Sequence, residues 1–233
     1  MAKISIKGAI ISNNDQWIYD WLDMDATSPK KVQEQLSNLN GRDLEVEINS
    51  GGGSVFAGSE IYTSLKEHNG NVTTKVVGLA ASAASVVAMA GDKVLMSPTA
   101  QMMIHNASGG TSGDYRDMDH MSGILRNINE TIATTYQMKT GLAEQELLSM
   151  MDTETWLTPQ QALEKGFIDE IMFTENNAQF VASYNSGMLP QNVIDKIRNE
   201  MLNKPTNQED KSVILMQQKA KLNLLKLKLG GTE

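Results

Sequence analysis

Apolar and polar residues alternate from the first residues of the chain, with Ile4 and Ile6 set between Lys3, Ser5 and Lys7. This period of two is the signature of a strand with one buried face. The same alternation recurs at Leu44, Val46 and Ile48, separated by Glu45 and Glu47, and that strand runs into the turn Asn49-Ser50-Gly51-Gly52-Gly53-Ser54. Beyond the turn the period changes. Val55, Ile61, Tyr62 and Leu65 fall near helical spacing, and Asn69-Gly70 closes that helix. Val72 to Val77 is β-branched and reads as the next strand. Ser82 to Ala90 reads as a small-residue helix stopped by Gly91, and short strands follow at Val94–Met96 and Met102–His105. Strand, helix, strand, helix, strand predicts an α/β domain with right-handed crossovers.

From Gly113 to Lys139 the chain has few breakers, and Met118, Met121, Leu125, Ile128, Ile132 and Tyr136 recur at three- and four-residue intervals. This spacing predicts one long amphipathic helix. A second helix start is written at Thr158-Pro159-Gln160-Gln161, with Thr158 as N-cap, Pro159 in the first helical position and Gln161 completing a capping box. Gly166 ends that helix, and Phe167 to Ile171 reads as a last strand. The composition turns polar at Glu175-Asn176-Asn177 and breaks again at Asn203–Asn207. The organisation is therefore one domain over 1–173 and an extension over 174–233. Lys211 to Leu229, with Val213, Leu215, Leu222, Leu225 and Leu229 among lysines, reads as an amphipathic partner-binding helix within that extension.

Charge and composition narrow the function classes. The 233 residues carry a formal net charge of −8 and no basic block interleaved with aromatics, which argues against nucleic acid as a partner. The absence of cysteine removes thiolate catalysis and disulfides and fits a cytoplasmic protein. His68, His105 and His120 do not fall at a metal-ligand spacing, so no metal site and no cofactor are predicted. The alternating first residues form no secretory leader. The uncharged small-residue run Val76 to Gly91 is short of the roughly 20 residues of a bilayer span and reads as packed core, so no membrane contact is predicted.

Candidate chemistry lies in two small-residue segments and one histidine. The glycine turn can present bare backbone N–H groups to a developing negative charge, and the run Gly78-Leu79-Ala80-Ala81-Ser82-Ala83-Ala84-Ser85 can set a hydroxyl at a helix start. His105, in the apolar stretch Met102-Met103-Ile104-His105, is the natural base. Each signal alone has an ordinary structural explanation: a tight turn, a packed serine, a core histidine. Their conjunction points to acyl transfer.

In order and spacing, Asn49-Ser50-Gly51-Gly52-Gly53-Ser54-Val55, Gly78-Leu79-Ala80-Ala81-Ser82-Ala83 and Met103-Ile104-His105 closely resemble the ClpP-like serine protease family. That family carries an Asn-Ser-Pro-Gly-Gly turn, a Gly-x-Ala-Ala-Ser nucleophile segment and a Met-Ile-His strand. The resemblance covers Ile4 to Met172. It implies a ClpP/crotonase-like spiral of repeated β-β-α units with a long protruding handle helix. It also implies Ser82 as nucleophile, His105 as base, and the amides of Gly53 and Ala83 as oxyanion donors. Where the family places its aspartate, this chain has Glu154; Asp152 is the alternative acid, and at most one of the two orients the imidazole. Gly51 stands in place of the family's proline, and Asn106-Ala107 follows the histidine in place of Gln-Pro. The family's peptide-aligning segment corresponds to Ser108–Gly113, making Gly109 and Gly110 contacts for an extended substrate.

The resemblance further implies a polypeptide substrate and a homo-oligomer, a heptameric ring or stacked double ring joined through the helix at 113–139. An ATP-driven unfoldase serves many relatives. The extension after Met172 is more similar to ClpP-related proteins of phages and prophages, linked to prohead or head-maturation proteolysis, which would make capsid proteins the partners. Two other classes remain: a scaffolding ring with a residual protease site, and a crotonase-type acyl-CoA enzyme. The second shares the spiral fold and an amide oxyanion hole but leaves the Ser82 and His105 pairing unused.

Overall fold

In the computed structural model of the chain, the residues described are 2–39, 41–174 and 219. Met1–Asn176 forms one compact unit. The expected helix at Lys211–Leu229 lies outside the described residues, Lys219 excepted.

The architecture is α/β. Strand β1 (Ala2–Ile10) is followed by helix α1 (Gln16–Trp21), strand β2 (Ala26–Thr27), helix α2 (Pro29–Ser37), strand β3 (Leu44–Gly53), helix α3 (Val55–Lys66) and strand β4 (Val72–Ala81). Helix α4 (Ala83–Ala88) and strands β5 (Lys93–Met96) and β6 (Gln101–Ile104) come next. The chain continues through helices α5 (Tyr115–Thr140) and α6 (Glu144–Asp152), strand β7 (Thr155–Leu157), helix α7 (Pro159–Glu164) and strand β8 (Glu170–Ile171). The main path of the sheet runs β2-β1-β3-β4-β5-β8, with β6 paired to both β4 and β7. All these pairings are parallel except β6 with β7.

The period-two residues of β1 and β3 explain the core. Ile6, Leu44, Val46 and Ile48 are fully buried and pack with Ile61 and Leu65 of α3. Each such side chain contributes about 1.5–3 kcal/mol relative to exposure. The intervening polar residues carry ion pairs on the opposite face, such as Lys3 to Glu47 at 2.6 Å. Toward its C-terminal end β3 slips against β4: Ile48 pairs with Val76, but Ser50 pairs with Ala80. Asn49 fills the slip, its Oδ1 accepting from the Leu79 amide at 3.1 Å. A Cβ at Gly78 would lie 2.5 Å from that oxygen, so any larger residue there would push the Asn49 side chain off this contact.

Helix α5 occupies the stretch its apolar spacing predicts, and the structure shows what closes each end. Asp114 and Asp117 form a capping box, and Gly141 ends the helix in the left-handed conformation at φ 72°. The expected apolar stripe is seated only in its last turns. Ile132, Ala133 and Tyr136 are buried, while Met118 is 46% exposed, so the N-terminal half of α5 stands clear of its own core. Arg116 hydrogen-bonds the Asp114 carboxylate and holds its pKa below the ordinary value. A carboxyl depressed by folding stabilises above its unfolded pKa and loses that contribution as pH falls through the folded one. Protection of the Arg116 and Asp117 amides, taken against their intrinsic exchange at each pH, should therefore fall in acid below the ordinary carboxylate range, and Asp114→Ala should show the lowered protection at neutral pH already.

Four expectations need correction. Ser82 is not helical but precedes α4. The strand at Phe167–Ile171 shrinks to Glu170–Ile171, because Phe167 and Ile168 are core residues of the turn after α7. The strand at 72–77 continues to Ala81, its bulge at Gly78 hiding the continuation. The histidine ends just beyond its strand rather than within it. Helices α1, α2 and α6 lie where no element was expected, and α1 has no buried residue to give it a pattern. Among the described residues, no helix is long and apolar enough to cross a membrane.

Candidate active site

The site is assembled where β4 ends. Ser82 occupies the turn into α4 with φ 55° and ψ −128°, a conformation that side chains with a Cβ rarely adopt. Its amide donates to the Met103 carbonyl at 2.9 Å, fastening the turn to β6. Continuing one residue past β6, the chain delivers His105, whose Nε2 lies 2.8 Å from Ser82 Oγ. For Nε2 to accept the serine proton, the imidazole must carry its own proton on Nδ1.

The register of β7 decides which acid faces that proton. Ile104 pairs with Thr155, so the residue before β7 is set beside the end of β6. Glu154 Oε2 lies 3.9 Å from His105 Nδ1, an ion-pair separation rather than a hydrogen bond. The other carboxylate oxygen accepts from the Trp156 indole N–H at 3.2 Å, and the Glu154 backbone is itself left-handed at φ 48°. Asp152, the last residue of α6, is engaged elsewhere: its Oδ1 accepts from the Asn106 side chain at 2.7 Å.

The glycine turn lies directly against the serine. A Cβ on Gly52 would come 2.8 Å from Ser82 Cβ and 2.9 Å from the Ala83 nitrogen, so the turn and the Ala83 amide share one space. Gly53 has φ 148°, and a Cβ there would fall 2.1 Å from the Ile10 carbonyl oxygen. The buried Ser50 hydroxyl pins the turn, donating to the Gly8 carbonyl at 2.6 Å and accepting from the Gly52 amide at 3.0 Å. Gly51 is exposed, with open space around it.

Beside Ser82 opens a cavity of about 290 Å³ with mostly apolar walls, including Val55, Val86, Ile128, Ile132 and Tyr136. A second, shallower groove runs past Gly109 and Gly110, between Asn106 on one side and Met121, Leu125 and Arg126 of α5 on the other. His68, on the loop after α3, binds the Arg42 carbonyl at 2.8 Å, and His120 is exposed on α5; neither approaches Ser82. Sequence reasoning missed Trp156, Asn106 and Ser50 as partners of site residues, and it treated Ser85 only as a neighbouring serine. Their roles depend on strand register and on contacts across the chain, which spacing alone does not display.

The profile of the family described as Clp protease matches residues 13–175. The chain belongs to the Clp protease family. It is therefore an enzyme, a ClpP-like peptidase of the serine type. Among similar proteins, the ATP-dependent Clp protease proteolytic subunit of Bacteroides fragilis is 32% identical over 164 residues, covering 68% of this chain and 79% of that one. The ATP-dependent Clp protease proteolytic subunit of Deinococcus radiodurans is 30% identical over 164 residues, covering 68% of this chain and 80% of that one. The ATP-dependent Clp protease proteolytic subunit 2 of Thermobifida fusca is 35% identical over 133 residues, 56% of this chain and 66% of that one.

Proposed function

We propose that this chain is a serine endopeptidase that cuts extended polypeptide through Ser82, His105 and Glu154. The observation that carries the reading is the 2.8 Å contact between Ser82 Oγ and His105 Nε2 against the glycine turn. His105 takes the serine proton as Oγ attacks the peptide carbonyl, then returns it to the leaving amine. The Gly53 and Ala83 amides receive the oxyanion of the tetrahedral intermediate. Glu154 faces the protonated Nδ1 and stabilises the imidazolium as it forms. The cavity beside Ser82 takes an apolar side chain preceding the cut bond, and Gly109 and Gly110 offer backbone to the extended substrate.

Assembly into a ring of copies, through the uncovered N-terminal half of α5, would turn these sites toward a common chamber. An ATP-driven unfoldase or, in a phage-type head-maturation role, capsid proteins would supply the substrate. The segment after Met172 would serve as a partner-binding extension, and the setting would be cytoplasmic.

The test is labelling by a fluorophosphonate, with the adduct located by mass spectrometry. One label per chain on the peptide containing Ser82 supports the mechanism. Failure to label in a folded, assembled sample would favour a scaffolding ring, for which the motivating feature is the long Glu154 to His105 separation.

The choice of acid has its own test. Glu154→Gln should lower kcat/KM by ~10²-fold or more, whereas Asp152→Asn should stay within ~3-fold of the parent, because only Glu154 faces the imidazole. Steady-state rates on one fluorogenic peptide decide it, and the reverse ranking would move the role to Asp152.

A further inference from the structure

The strained Ser82 residue is held from its carbonyl side by groups the mechanism above does not use. Its carbonyl oxygen accepts from the Ser85 amide at 2.9 Å and from the Ser85 hydroxyl at 2.6 Å. Ser85 is fully buried, and its Oγ also lies 2.8 Å from the Tyr136 hydroxyl. A serine hydroxyl has one hydrogen. Since that hydrogen goes to the Ser82 carbonyl, the phenol must be the donor in the second contact. Tyr136 is 51 residues further along the chain, in the seated part of α5, and its ring meets Phe167 edge-on at 5.6 Å between centroids. Burial raises the pKa of this phenol far above the usual range, so it keeps its proton at every working pH.

The Ser82 carbonyl and the Ala83 N–H belong to the same planar trans peptide group. They point to opposite sides of it, so fixing the carbonyl fixes the direction of the N–H. We infer that Ser85 and Tyr136 are positioning residues, a hydroxyl relay from α5 that clamps the Ser82 carbonyl and so aims the Ala83 amide at the developing oxyanion. The inference rests on the reading of Ser82 as nucleophile and Ala83 as donor. Helix formation alone does not explain the pair, because α4 already satisfies this carbonyl with backbone amides. Two apolar side chains of similar shape would fill the same core without desolvating two hydroxyls. The relay also makes the seating of the long helix felt at the catalytic peptide bond, since Tyr136 is both a core residue of α5 and a wall of the cavity beside Ser82.

The experiment compares the full-length parent with Ser85→Ala, Tyr136→Phe and the double variant, each assayed on a fluorogenic peptide. Rates are expressed per active site titrated with a fluorophosphonate, so that loss of folded enzyme does not count as loss of rate. Ser85→Ala should lower kcat ~10-fold with KM within ~2-fold, a fraction of the 10²–10³-fold expected when an oxyanion donor is removed outright. Tyr136→Phe should lower kcat ~3-fold, and the double variant should be no slower than Ser85→Ala, because the two hydroxyls act in series. The second-order rate of fluorophosphonate inactivation should fall in parallel, since that adduct also places an oxygen at the Ala83 amide. Unchanged kcat per titrated site, or losses that multiply in the double variant, would overturn the relay. If Ser85→Ala fails to fold, Tyr136→Phe decides alone, since it removes a single hydroxyl. A parent enzyme that hydrolyses peptide yet takes no label at Ser82 would instead overturn the nucleophile assignment.

Discussion

Ser82→Ala is expected to lower peptide hydrolysis by ~10⁴-fold or more, to abolish fluorophosphonate labelling, and to leave the melting temperature within a few degrees of the parent. The catalytic loss follows from removing the proposed nucleophile. The residual rate is what an oxyanion hole and a binding groove give to water alone. The stability expectation follows from what Ser82 contributes to the fold. Its backbone amide and carbonyl, bound to Met103 and Ser85, hold the turn, whereas its hydroxyl contacts His105. Alanine meets the same strain at φ 55° as serine does, so the substitution changes chemistry and little else. His105→Ala should cause a loss of similar size, and the double variant should be no worse than either single one, because the two side chains act as one unit. Hydrolysis of a fluorogenic peptide, read beside a thermal melt, checks all three. Retained hydrolysis in Ser82→Ala would end the serine mechanism.

Gly53→Ala should be damaging in a different way, losing both activity and stability. An added Cβ would sit 2.1 Å from the Ile10 carbonyl oxygen, and the backbone angle of 148° already lies where only glycine is at ease. Relief requires moving either β1 or the turn. The Gly53 residue is paired with Ile10, and the next amide, Ser54, donates to the Ile10 carbonyl at 2.8 Å. Moving β1 therefore breaks the end of the β1–β3 ladder, and moving the turn shifts the proposed Gly53 donor together with Gly52, which lies against Ser82. We expect at least ~2 kcal/mol of destabilisation, in the range for strain at a special backbone position. A fall in kcat of ~10²-fold or more should accompany it, comparable to loss of one oxyanion donor. Gly51→Ala is the matched control, because a Cβ there meets nothing within 4 Å. Chemical denaturation and steady-state kinetics on both variants separate the two positions.

How much of this could be read in the chain depended on whether a signal was local. The strands at Ile4–Ile6 and Leu44–Ile48 were written in a period of two, α5 was announced by its three- and four-residue apolar spacing and α7 by its cap, so these elements stand where the pattern puts them. Helix α1 was illegible because Trp17, Trp21 and Leu22 are exposed at 67%, 78% and 52%, and an apolar residue facing outward looks, in sequence, like one facing inward. Met118 misled in the same way at the uncovered end of α5. In the site, Ser82, His105 and the glycine turn came from motifs in order. The geometry of Glu154 and Asp152 did not, because two carboxylates two residues apart differ only in where a three-residue strand places them. Tyr136 read as one more apolar position of a stripe, since a hydroxyl's partner across 51 residues leaves no local mark.

Strand β6 is bound on one edge to β4, which ends beside Ser82, and on the other to β7, which begins beside Glu154. One four-residue strand therefore sets both spacings around the imidazole. Length can change in the long excursion through α5 and α6 without altering either spacing, whereas a single-residue slip of β7 on β6 would turn the carboxylate to the other side of the sheet and leave the serine contact intact. The site thus separates into a half that tolerates drift and a half that tolerates none. Descendants of this sequence can reshape their surfaces and partners freely while the catalytic spacing is inherited with a single strand.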